Sequence, residues 1–133
     1  MACPGKKIIK SDKAPAALGP YSIANTGGPF VFTAGQLGLN PATGILVDGG
    51  IEAETRQALE NIKKVLEASN SCIENVVKTT VFLRDIGEFS KMNTVYGEFF
   101  TSDFPARSAV QVAALPKNAA VEIEAIALIG DKD

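Results

Sequence analysis

The 133-residue chain contains no histidine and no tryptophan. Without an imidazole the usual general base is missing, together with the nucleophile–histidine triads and the commonest zinc ligand. Cysteine is nearly absent as well, with only Cys3 and Cys72. Two thiols without metal-binding spacing make neither a disulfide framework nor a zinc cage, and they point to a reducing compartment. No apolar run approaches the roughly 20 residues of a membrane span. The N-terminal MACPGKKIIKSDKAP has neither the apolar stretch of a secretory signal nor the arginine-rich pattern of a transit peptide. The expectation is a cytoplasmic protein, with an organelle such as the mitochondrion left open. Positive charge is not in excess either: the formal net charge is −2, which disfavours nucleic-acid and membrane-surface roles. The one lysine cluster, Lys6, Lys7 and Lys10, reads as a solvated tail.

What is present is enough for a core. Apolar residues make up 46% and charged residues 21% of the chain, as in ordinary globular domains. A chain of this length buries about 68% of its unfolded surface, so a single domain is expected. Residues 1–13 read as a loosely held arm, part of a Lys-, Ala-, Pro- and Gly-rich stretch that extends to residue 20.

From Tyr21 the pattern sharpens. Tyr21–Asn25 and Phe30–Ala34 flank Thr26-Gly27-Gly28 and predict a hairpin. Asn40 to Gly44 is a second turn cluster. Residues 51–68 predict a helix whose apolar face carries Ala58, Leu59, Ile62, Val65 and Leu66, with Glu52 and Glu54 in its first turn. VVKTTVFL, residues 76–83, predicts a strand. A second helix, capped by Asp85, would show Phe89, Met92, Tyr96, Phe99 and Phe100 on one face. Two further strands follow, Arg107–Ala114 and Ala119–Ile129, read as neighbours joined at Leu115–Asn118. The result is an α+β domain with a mixed sheet and two helices on one face. On the last strand Val121, Ile123, Ala125 and Ala127 alternate with Glu122, Glu124, Ile126 and Leu128. The second set is too apolar for open water and too polar for a dry core. That sheet face calls for an oligomeric partner across a wet interface.

With histidine absent and no GxGxxG or Walker spacing around Gly35-Gln36-Leu37-Gly38, chemistry falls to carboxylates, arginine, tyrosine and the backbone. Arg107 opens a strand rich in Ala and Val, where a buried guanidinium needs an anion. It suits either a carboxylate ligand held bidentately or a structural ion pair with Glu122 or Glu124. Glu124 is readable as a water-positioning base or as an exposed sheet carboxylate. Tyr21, after Gly19-Pro20, suits a pocket wall or a core position, and Asn93 a cleft edge or a solvated face.

Several segments together carry a resemblance: APAALGPYS at 14–22, AGQL at 34–37, VVKTTVFL at 76–83, NTVYGEFF at 93–100, FPARS at 104–108 and VAALPKNAAVEIEAIA at 112–127. In this order they resemble the Rid family of small deaminases, from about residue 8 to residue 129. The resemblance implies a chorismate-mutase-like fold and a homotrimer with sites in the clefts between subunits. It implies hydrolysis of 2-imino acids, derived from enamines such as 2-aminoacrylate, to 2-keto acids and ammonia, with no cofactor or metal. On it, Arg107 binds the substrate carboxylate and Glu124 positions water. Tyr21 and Gly35 come from the neighbouring subunit, Asn93 lies near the cleft, and the Ala109 backbone meets the substrate nitrogen; Glu122 is structural. The chain departs from the family's common pattern at Ala109, where many members have cysteine, at Ala34, often serine, and at Ile23, often glutamine. The rival readings are a non-catalytic small-carboxylate binder or chaperone-like trimer, and a single-stranded RNA endoribonuclease or translation inhibitor.

Overall fold

A computed structural model describes residues 5–130. The elements are β1 (Ile8–Ile9), β2 (Ala24–Gly27), β3 (Phe30–Thr33), β4 (Gln36–Leu37), α1 (Gly50–Ala68), β5 (Val76–Leu83), α2 (Phe89–Phe99), β6 (Ala106–Gln111) and β7 (Val121–Leu128). They form one mixed sheet in the order β1-β2-β3-β7-β5-β6, with β4 also paired to β7. Among the described residues no helix is long and apolar enough to cross a membrane.

The helices cover one face. Ala58, Leu59, Ile62, Val65 and Leu66 of α1 are fully buried against Val121, Ile123, Ala125 and Ala127 of β7. The four β7 residues fall at the period of two that a half-covered strand requires. α2 reaches the same face, where the Tyr96 hydroxyl lies 2.8 Å from Thr79 Oγ1 on β5. Asp85 caps a short 3₁₀ turn at Ile86–Glu88 by accepting from the Gly87 N–H, and α2 begins only after it.

Two expectations are corrected here. The last two strands are not neighbours, because β5 lies between them, parallel to β6 and antiparallel to β7. The reason is the α2 crossover, which delivers the next strand parallel to the one before it. Residues 115–118 are then a span across β5 that contains a 3₁₀ turn at Pro116–Asn118, not a hairpin loop. The arm of residues 1–13 is held in part: Ile8 and Ile9 pair with Asn25 and Ala24, and Ala14, just after it, is buried. The open backbone edge of β2 supplies the partner that composition could not show. Cys3 lies outside the described residues.

The other face carries the cross-strand rows Glu122–Phe82–Val110, Glu124–Thr80–Ser108 and Phe32–Ile126–Lys78–Ala106. Phe32, Val110 and Leu128 each leave 40% or more of their surface exposed there.

Candidate active site

Arg107 sits on β6 level with Thr79, so its side chain joins the helix face and points at α2. Its Nη1 donates to Asn93 Oδ1 at 2.8 Å. Its guanidinium carbon stands 4.7 Å from the centre of the Tyr96 ring and 5.3 Å from that of Phe89. Glu122 and Glu124, level with Phe82 and Thr80, project from the opposite face of the sheet, so neither is the partner of Arg107. It lines a cleft of about 380 Å³ together with Asn93, Tyr96, Phe104 and Pro105.

Tyr21 and Gly35 lie elsewhere, in a cavity of about 460 Å³ whose walls are largely apolar: Leu18, Ile23, Ala34, Leu37 and Leu39, with Lys117 and Glu122. Gly35 occupies a break in the sheet. β3 pairs with β7 at residues 126–128, β4 pairs with it at 122–123, and between them the Ala125 N–H donates to Thr33 Oγ1 at 3.0 Å. The side chain of Glu122 folds into that break, where a Cβ on Gly35 would collide with its carboxylate. Burial holds the Glu122 carboxyl above the ordinary carboxylate range, and the charge of Glu124 adds to the effect.

The structure therefore does not bring the candidate residues together within one chain. Arg107, Asn93 and Ala109 share the helix side of the β6 edge, and Ala109 packs against the core there. Tyr21 and Gly35 meet at the other cavity, and the carboxylate that meets them is Glu122. Glu124 is exposed on the open sheet face and lines neither cavity. The spacing of two puts both glutamates on one face, and the 34–37 segment, which pairs with β7 at residues 122–123, separates their environments. Phe89 and Tyr96 were legible as one helix face, but nothing in the sequence linked that face to Arg107, which lies on a strand.

A family model described as Endoribonuclease L-PSP matches residues 11–129. A crystal structure of a protein of the conserved Rid protein family from Yersinia pestis superposes with a TM-score of 0.91, at 44% identity over 94% of this chain and 100% of that one. The chain belongs to the Rid family. Other Rid relatives carry a named activity or ligand. A Bos taurus protein named 2-iminobutanoate/2-iminopropanoate deaminase is 54% identical over 125 residues, 94% of this chain and 91% of that protein. The structure of E. coli TdcF with bound serine matches with a TM-score of 0.87 and 41% identity, covering 92% and 98% of the two chains.

Proposed function

We propose that this Rid protein hydrolyses 2-imino acids to 2-keto acids and ammonia, at sites built from two copies of the chain in a chorismate-mutase-like homotrimer. The observation that carries the reading is Arg107, a half-buried cation held by rings and an amide rather than by a carboxylate of the described chain. Asn93 occupies one of its five N–H groups, and the remainder can take a carboxylate bidentately. A relative with bound serine, itself an amino acid with a free carboxylate, is consistent with such a ligand. So is the name of the bovine relative.

The two half-sites divide the chemistry. Arg107 of one copy holds the substrate carboxylate. Glu122 of the next copy, beside Tyr21 and Gly35, orients a water against the imine carbon and takes its proton as the C–O bond forms. The imine nitrogen, protonated, becomes the amine of a carbinolamine. Proton transfer through Glu122 from the hydroxyl to that amine then expels ammonia and leaves the ketone. A carboxyl with a raised pKa suits both steps, because its carboxylate is the stronger base toward water and its acid form is available to return the proton. Water is the only co-reactant, so positioning is most of the catalysis.

The test is a coupled assay in which an amino-acid oxidase generates 2-iminopropanoate and semicarbazide traps it. Wild-type protein should outcompete the trap, and Arg107→Ala should not while keeping the circular-dichroism spectrum of the wild type. A fully active Arg107→Ala protein would remove the arginine from the mechanism.

A further inference from the structure

Among the described residues no carboxylate pairs with Arg107, and what positions it lies in α2. Phe89, Asn93 and Tyr96 occur at i, i+4 and i+7, so they form one stripe along the helix. That stripe lies over the strand row holding Arg107 and Thr79. Tyr96 is fastened at both ends, its hydroxyl 2.8 Å from Thr79 Oγ1 and its ring 4.6 Å from the ring of Phe100. Both rings approach within the roughly 6 Å at which an aromatic face attracts a cation.

We propose that Phe89 and Tyr96 are positioning residues: their rings take the place of a carboxylate partner, keeping Arg107 ordered yet free to bind an incoming carboxylate. The inference deepens the deaminase reading and rests on Arg107 being the carboxylate clamp. Its logic is competitive. A structural glutamate or aspartate at this place would hold the guanidinium equally well but would occupy the donors that the substrate needs. A ring attracts the cation through its face and consumes no N–H. Asn93 is uncharged and takes only one.

Three substitutions test this. Phe89→Leu and Tyr96→Leu remove a ring while keeping an apolar side chain. Each should raise KM for 2-iminopropanoate about ten-fold, the size expected of a partly desolvated cation–π contact, with a much smaller change in kcat. Tyr96→Phe restores the ring and should recover most of the affinity lost in Tyr96→Leu. Asn93→Asp is nearly isosteric and supplies the counter-ion that the rings replace, so it should raise KM at least as far. Pyruvate binding measured by calorimetry should weaken in parallel, because pyruvate presents the same carboxylate and undergoes no turnover. If Asn93→Asp and both leucine variants remain folded and keep wild-type KM and pyruvate affinity, the proposal is overturned. If wild-type protein fails to hydrolyse the imine but binds pyruvate, the deaminase reading falls and the calorimetry alone decides on the rings. Failure of the wild type both to hydrolyse the imine and to bind pyruvate would overturn both.

Discussion

Glu122 and Glu124 lie two positions apart on one strand, share a face and have the same chemistry, yet the fold gives them different surroundings. Segment 34–37 pairs alongside Glu122, which is half-buried, while Glu124 stays exposed. Glu122→Gln should therefore cost roughly 100-fold or more in kcat, the usual worth of a positioned acid–base group, whereas Glu124→Gln should retain most of the rate. The pH dependence has a definite sign. Because burial raises the Glu122 pKa, the folded state binds that proton more tightly than the unfolded one. Stability then falls as pH rises from the ordinary carboxylate value through the raised one, and the penalty is complete above it. Glu122→Gln should accordingly raise the melting temperature at pH 7.5 and lose that gain by pH 4, with activity lost at both. Calorimetric scans at the two pH values check it, and a melting temperature lowered by the substitution at pH 7.5 would contradict the burial argument. The sequence showed two candidate glutamates and singled out Glu124, because the difference in their surroundings is made by a strand more than 80 positions away.

Elements whose pattern is local were legible in the sequence. The α1 face, the whole of β5 and the alternation of β7 follow from spacing alone, and the structure reproduces them. Features in which one element's place depends on another were not legible: β5 between β6 and β7, the paired Ile8–Ile9, and Gly35 in the gap between two strands. Asn61 illustrates the same limit. It falls within the apolar run of α1 and is 1% exposed, a position where an amide looks misplaced. Its Nδ2 donates to the carbonyls of Leu37 and Leu39, at 3.2 and 2.9 Å, and its Oδ1 accepts from Gln57. The helix thus holds the segment that walls the Gly35 cavity. Replacing Asn61 with Leu should destabilise the fold by about 2–3 kcal/mol, since two buried carbonyls lose their donors. Urea denaturation measures it. A loss near zero would mean that the segment finds its hydrogen bonds elsewhere.

For the whole molecule the decisive feature is the uncovered sheet face. In a single chain Arg107 and Glu122 project from opposite sides of one sheet, so the proposed reaction needs a second copy to bring them together. The same face leaves Phe32, Val110 and Leu128 partly exposed around a polar row of Glu124, Thr80 and Ser108. Covering it would bury the apolar residues while leaving the polar row to water, as a wet interface allows. Phe32→Glu separates assembly from folding. The side chain is already 40% exposed in the isolated chain, so a carboxylate costs the monomer little. In an interface the same carboxylate would be buried without a partner, which is far more costly. Light scattering should give the mass of three chains for wild-type protein and of one for Phe32→Glu. The variant should keep its circular-dichroism spectrum and lose imine hydrolysis, since each chain retains both half-sites but no whole one. A wild-type monomer that hydrolyses the imine would refute the two-copy site, and so would an active monomeric variant.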